Sequence, residues 1–503
     1  MIQNPIVTYL QSTSPEKINP AFLSFLSGLY EVSRAAPEVA SGIVREFKSQ
    51  RENLKLIASE NYSSLSTQLA MGNLLTDKYA EGNVGRRFYA GCDSVDDIER
   101  LAAQEACRLF DAEHAYVQPH SGADANLIAF WAILSAKVER PAWDRLGITD
   151  GRQLTKVQWE KIRESLGNQR LLALDYYSGG HLTHGYLHNV SARMFDVHSY
   201  AVDRETGLLD YDAIANQALE IRPLILLAGY SAYPRRIDFE RMRKIADQCG
   251  AVLMADIAHF AGLVAGKVFE GKENPVPYAD VITTTTHKTL RGPRGALILC
   301  KKEYAEYVDK GCPMVMGGPL PHVMAAKAVA LLEANKPEFK VYARHIVENA
   351  RHLAAECLKL GLTVVTGGTD NHLLLINVNP LGLTGRQAES ALRECGITLN
   401  RNSLPFDPNG PWYTSGLRLG TPAVTTLGMG HSEMAEIAGI LSIVLQNTKP
   451  ASGNGSGWSK AKYRLESNIK RQVQERVGNL LSRYSVYPEF KMEYLLPFIN
   501  GKS

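Results

Sequence analysis

Between about residues 51 and 325, short apolar runs alternate with stretches of helical character, and this rhythm constrains the fold more than any other feature of the chain. Residues 223–228 read as a buried strand. Asp238 suits the cap of a following helix over 239–248, and Gly250 suits its end. Further apolar runs follow at 251–255, 281–285 and 295–300. Strand, helix and strand in steps of roughly thirty residues predict an α/β fold with a mostly parallel sheet flanked by helices. Ligands in such sheets bind at the carboxyl ends of the strands. Asp256 closes one of these runs, and Lys288 follows another, thirty-two positions later.

A chain of 503 residues is too long for one core and suits two or three domains. Residues 1–50, interrupted by Pro5, Pro15, Pro20 and Pro37, read as an N-terminal arm or short helices rather than a domain. Residues 51–330 form the large domain, with a polar insertion at 137–170. A smaller C-terminal α/β domain is expected over 331–450. Residues 451–503 are a tail that continues the linker-like stretch 450–457 into one amphipathic helix. Leu465, Ile469, Val473, Val477 and Leu481 recur there every four residues. Lys+Arg 55 against Asp+Glu 52 gives +3, which predicts no nucleic-acid or membrane partner. The seven cysteines have neither CxxC nor zinc spacing and read as reduced thiols of a cytoplasmic protein without a metal. No leader is evident at the N-terminus, and no apolar run is long enough to span a membrane.

An acid at the end of one buried strand and a lysine beyond the end of another suit a pyridoxal phosphate enzyme. The lysine amine condenses with the cofactor aldehyde, and the carboxylate keeps the ring nitrogen protonated. Asp256 alone could be a helix cap, but His259 stands three residues on, within reach of the same pocket. A lysine at the end of the threonine run Thr283 to Thr286 would be costly unless its amine were neutralised or bonded. Arg294, in Gly292-Pro293-Arg294-Gly295, is available to a phosphate or an acid. Ser121, Gly122 and Ala123 open a helical stretch whose free N–H groups suit a phosphate, although small helix starts are common. His181 and His184, among Gly179, Gly180 and Gly185, admit a metal pair, a buried structural histidine, or a ring stacked on a planar cofactor; the glycines favour the last.

These words resemble the serine hydroxymethyltransferase family, in the type I fold of pyridoxal phosphate-dependent transferases. The resemblance rests on Ser59-Glu60-Asn61-Tyr62, Lys78-Tyr79-Ala80-Glu81-Gly82, His120-Ser121-Gly122, Gly180 to Gly185, Asp256 to Val264, Thr283 to Leu290, Gly317-Gly318-Pro319 and Ser415 to Pro422, in order. It implies reversible transfer of the serine hydroxymethyl carbon to tetrahydrofolate, giving glycine. It implies Lys288 as the cofactor lysine, Asp256 on the ring nitrogen, His181 stacked on the ring, and Ser231 and His259 near the phenolic oxygen. Ser121, Gly122, Ala123 and His287 would hold the phosphate, with Tyr79, Gly317 and Gly318 from the partner of a homodimer. Arg418 and Ser59 would bind the amino-acid carboxylate. Glu81, also from the partner, would be the acid/base carboxyl, and Tyr89 would line the same site. Gly180, Leu182, Tyr176, Asn402 and Trp412 are expected on the folate side.

The chain departs from the family pattern at Phe88, where a tyrosine is usual, at Tyr176, where a leucine is usual, at 313–316, and near the end of the loop 402–412. A folate-independent aldolase or racemase for β-hydroxy amino acids or alanine would share the carbanion chemistry, and a folate requirement separates the two. A non-catalytic binding protein of the same fold would show damage at Lys288, Asp256 or Arg418, and all three are present.

Overall fold

The computed structural model describes residues 4–452 and 458–500. Its centre is a seven-stranded sheet of β1 (His114–Tyr116), β2 (Arg170–Leu174), β3 (Asp196–Tyr200), β4 (Ile225–Gly229), β5 (Val252–Asp256), β6 (Val281–Thr285) and β7 (Ala296–Cys300). The spatial order is β1-β7-β6-β5-β4-β2-β3. Only β7 runs against its neighbours; the other pairings are parallel. Parallel strands covered on both faces are apolar throughout, and alternate residues serve opposite sides. Leu172, Leu226, Leu253 and Leu297 pack into one core. Leu171, Ile225, Val252 and Ile298 pack into the other.

The helix after β4 is Phe239–Cys249. Asp238 accepts from the Arg241 N–H, and Gly250 ends the helix in a left-handed conformation at φ +75°. The helix after β1 is Gly122–Leu134, capped by Ser121.

A second, smaller sheet holds β8 (Thr363–Val364), β9 (Leu373–Asn377), β10 (Asn400–Asn402) and β11 (Gly416–Gly420), in the order β8-β9-β11-β10 and antiparallel throughout. Its core includes Leu374, Ile376, Leu417 and Leu419, and takes in Leu54 and Leu56 from far upstream. Val473, Val477 and Leu481 of the amphipathic helix Ser467–Arg483 dock there too.

Two readings of the chain ends change. Pro5, Pro20 and Pro37 do not break the N-terminal segment: each is the first residue of a helix, over Pro5–Ser12, Pro20–Ala35 and Pro37–Glu52. Proline is favoured there because the first turn lacks an acceptor for its missing N–H. These helices bury Phe22, Leu26 and Phe47 against Phe490, Leu495 and Phe498, so the two ends of the chain share one core. Residues 450–452 are not linker. Lys449–Ser452 pairs antiparallel with Trp458–Arg464, and 453–457 lie outside the described residues. Among the described residues, no helix is long and apolar enough to cross a membrane.

Candidate active site

The loops after β1, β2, β4, β5 and β6 meet at one edge of the large sheet and, with β10 and β11 of the small one, enclose a cavity of about 540 Å³. Ser59, Ser121, Gly122, Ala123, Tyr176, Gly180, His181 and Leu182 line it, as do Ser231, Asp256, His259, His287, Lys288, Asn402 and Arg418.

The loop after β2 needs its glycines. Asp175 accepts from the N–H groups of Tyr177 and Ser178, and Gly179 turns back at φ +109°. A Cβ on Gly180 would lie 2.1 Å from the Leu174 carbonyl oxygen. This turn delivers His184 to Asp256 and Thr183 to Asn126. Nδ1 of His184 accepts from the His181 N–H, at 3.3 Å, so its Nε2 carries the proton and donates to Asp256 Oδ2, at 3.0 Å. Asn126 Nδ2 donates to the same oxygen at 2.9 Å, and the Ala258 N–H donates to Oδ1 at 3.0 Å. Burial by itself would raise the Asp256 carboxyl. The hydrogen bonds from His184 and Asn126, with the His181 imidazole close by, outweigh it and hold the carboxyl far below the usual carboxylate range. It is ionised at every working pH.

Lys288 stands three residues past the end of β6. Burial lowers its pKa to about 8; Arg418 and Arg294 push the same way, and the charge of Asp256 opposes them. A lysine needs its neutral amine to attack a carbonyl. Capture of an aldehyde by the cofactor-free protein is therefore expected to speed up about tenfold per pH unit below 8 and to level off above it. Stopped-flow mixing with pyridoxal phosphate across pH 6–10 measures this. A rate still rising at pH 10 would place the amine at its ordinary value.

From β11 of the small sheet, Arg418 Nη1 donates to the Ser231 carbonyl at 2.8 Å and Nε to Asn400 Oδ1 at 3.1 Å. Nη2 makes no hydrogen bond among the described residues and remains for a ligand carboxylate. Burial lowers the pKa of this guanidinium to about 10, still leaving it charged at neutral pH.

The anion end of the cavity is built at the start of the helix Gly122–Leu134. Ser121 Oγ accepts from the Asp124 N–H, which leaves the N–H groups of Gly122 and Ala123 without intrahelical partners. A Cβ on Gly122 would sit 2.8 Å from Thr285 Cγ2, so a glycine keeps this end open. His287 Nδ1 is buried with no partner, and Arg294 lines the same end. Orphaned N–H groups, a spare imidazole nitrogen and a cation suit a phosphate.

Tyr79, Glu81, Gly317 and Gly318, which the resemblance assigns to a partner subunit, do not line this chain's own cavity, and neither does Tyr89. Tyr79 and Tyr89 instead form an edge-on pair with ring centroids 4.8 Å apart, and Gly318 lies against the Tyr79 ring. Beside them, the buried Arg87 ties down the carbonyls of Ala80 and Gly82, on either side of Glu81, and pairs with Asp96 and Glu99. Trp412 does not line the cavity either. It is 62% exposed and lies beneath Arg386 and Arg401, while its neighbour Pro411 reaches the cavity.

Asn126 and His184 hold Asp256 in place; the sequence reading singled out His184 without this role, and other working residues escaped it. Lys327 Nζ, fully buried, donates to the carbonyls of Val117, Pro119 and Ala296 and so braces the chain leading into Ser121. His372 packs behind His259. Two histidines in one glycine-rich loop were visible as a signal. Nothing local marked Asn126, Lys327 or His372.

Pyridoxal 5′-phosphate has a counterpart for each of these groups: a phosphate for the helix start, a ring nitrogen for a permanently ionised acid, and an aldehyde for an amine of lowered pKa. That correspondence, on a mostly parallel sheet joined to a smaller α/β body, places the chain among the pyridoxal phosphate-dependent enzymes of fold type I. The family model for serine hydroxymethyltransferase matches residues 32–161 and 164–441. A serine hydroxymethyltransferase of Treponema pallidum is 60% identical over 495 residues, covering 98% of this chain and 86% of that protein. One from Salinispora tropica is 55% identical over 470 residues, 93% of this chain and 98% of that protein. One from Mycolicibacterium smegmatis is 55% identical over 468 residues, 93% and 94% respectively. The chain belongs to the serine hydroxymethyltransferase family.

Proposed function

We propose that this cavity moves the hydroxymethyl carbon of serine to tetrahydrofolate, giving glycine and 5,10-methylenetetrahydrofolate, and runs the reverse reaction. The observation that supports it best is the convergence of Lys288, Asp256 and the free Nη2 of Arg418 on one cavity. Pyridoxal phosphate, when bound, supplies a carbonyl for the amino group and a ring that accepts the electron pair of the broken bond. Arg418 and Ser59 would take the substrate carboxylate and so orient the substrate in the cavity. Asp256 would keep a proton on the ring nitrogen because its own carboxyl does not take one up. His181, neutral because burial and the neighbouring His184 lower its pKa to about 4, would lie against the ring without adding charge. Lys288 would hold the cofactor through its aldehyde. Tyr176, Gly180, Leu182 and Asn402 border the side left for the folate.

The acid/base carboxyl near the serine hydroxyl is Glu81 of a second copy of the chain, with Tyr79, Tyr89, Gly317 and Gly318 coming from the same copy. The supporting observation is that these residues lie outside their own chain's cavity, in a surface that exposes Tyr79, Phe88, Tyr89 and Leu74. Mixing subunits tests this. Glu81→Gln is expected to bind the cofactor normally and to slow folate-dependent serine cleavage about 10²-fold or more. Lys288→Ala is expected to be inactive. Exchanging subunits between equal amounts of the two variants should restore about a quarter of the wild-type rate, since half of the dimers are then mixed and each mixed dimer of two-fold symmetry has one intact site of two. No recovery would mean that Glu81 serves its own chain. A cytoplasmic location fits the seven cysteines, all of them unpaired.

A further inference from the structure

His259 reaches the cavity from one side and touches a second histidine on the other. Its Nδ1 lies 3.3 Å from Nε2 of His372, with the rings 5.5 Å apart and 28° from parallel. Both rings are buried, at 3% and 0% exposure. His372 is not free to shift. Its carbonyl accepts from the Thr421 N–H at 3.0 Å, and Asn371 beside it is tied to the Tyr230 hydroxyl and the Tyr233 carbonyl, both at 3.0 Å.

The geometry points to His372 as a positioning residue that sets the tautomer of His259, making His259 a hydrogen-bond donor to the cavity. Burial, with Lys288 and Arg418 adding to it, pushes both imidazoles well below their ordinary pKa, so two neutral rings share one N···N contact. One of them must donate. If His259 Nδ1 donated, His372 would have to carry its own proton on Nδ1. That atom is buried and has no partner, so an N–H would be stranded there. If His372 Nε2 donates, the orphan at Nδ1 is a lone pair. A stranded buried N–H is the rarer defect in proteins. The cavity side does not decide between the two, since water there accepts from an N–H as readily as it donates to a lone pair. The buried side does. With His259 Nδ1 accepting, its proton sits on Nε2, facing the cavity. An Nε2–H suits an oxyanion, and the cofactor's ring oxygen is the one the resemblance puts there.

The use made of that donor rests on the pyridoxal phosphate reading of the cavity; the tautomer does not. The test is therefore nitrogen NMR on cofactor-free protein carrying ¹⁵N-histidine, with His259 and His372 assigned by the loss of their signals on substitution. In the wild-type protein both rings should be protonated on Nε2. His372→Gln keeps an N–H where Nε2 was and should leave the His259 signals in place. His372→Leu removes the donor and should move the His259 proton towards Nδ1. In the loaded enzyme, His372→Leu should lower kcat for serine cleavage about tenfold, less than the roughly 10²–10³ that deleting an oxyanion donor costs, because His259 itself stays in place. His372→Gln should recover most of that loss. A wild-type His259 protonated on Nδ1 overturns the inference whether or not either variant folds. So do His259 signals that are identical in wild type and His372→Leu. If the tautomer is as stated but the protein neither retains pyridoxal phosphate nor cleaves serine, the function is at fault and the positioning role stands.

Discussion

Replacing Lys288 by alanine should abolish covalent capture of pyridoxal phosphate and lower serine–glycine interconversion by at least about 10³-fold. Borohydride treatment of the wild-type holoenzyme should fix the cofactor's mass on the peptide containing Lys288 and on no other. In the variant that mass should be absent. Reversible retention of the cofactor should survive in part, since the N–H groups of Gly122 and Ala123, Arg294 and Asp256 are all untouched. Folding should survive as well. No hydrogen bond of the Lys288 amine is broken among the described residues, and the group removed was disfavoured by its burial. A variant that kept both the covalent cofactor and turnover would remove Lys288 from the centre of the mechanism.

The second large effect is expected at Asp256. An Asn there fills the same space but lacks the charge, and it brings one oxygen where there were two. Oδ2 now accepts from both His184 and Asn126, and Oδ1 from the Ala258 N–H. An amide satisfies one side and presents an NH2 to the other, which costs about 1–3 kcal/mol of stability. The loss in catalysis should be larger, about 10²–10³ in kcat, typical of removing a preorganised charge from a site. It should also be much the same across the neutral range. The wild-type carboxyl is held below its unfolded pKa, so its contribution is complete above about pH 4 and is lost only as pH falls through the folded value. Measuring kcat for the variant between pH 6 and 9 checks this. A deficit confined to one end of that range would mean that Asp256 itself titrates there.

Much of the large body was legible because its strands are buried on both faces. Such strands are unbroken apolar runs, and β4 to β7 could be read almost to the residue. Asp256 and Lys288 were legible for the same reason, since a charge at the end of an apolar run stands out. Residues that act through partners far along the chain were not. Asn126 meets Asp256 across 130 positions, and His259 meets His372 across 113. The prolines of the first fifty residues were read as breaks because composition does not say whether a proline starts a helix or interrupts one. The stretch at 450–452 looked like linker because its cross-strand partner, Trp458–Arg464, was read as part of the tail. Trp412 was assigned to the folate side by resemblance alone, and its ring lies beneath Arg386 and Arg401.

The most direct test of the central claim follows the labelled third carbon of serine in the cofactor-loaded protein, with and without tetrahydrofolate. The account predicts that the label appears in methylenetetrahydrofolate, that one glycine forms for each carbon transferred, and that serine cleavage nearly stops when folate is left out. Label released as formaldehyde at the same rate without folate would contradict it. The cavity would then belong to a folate-independent aldolase.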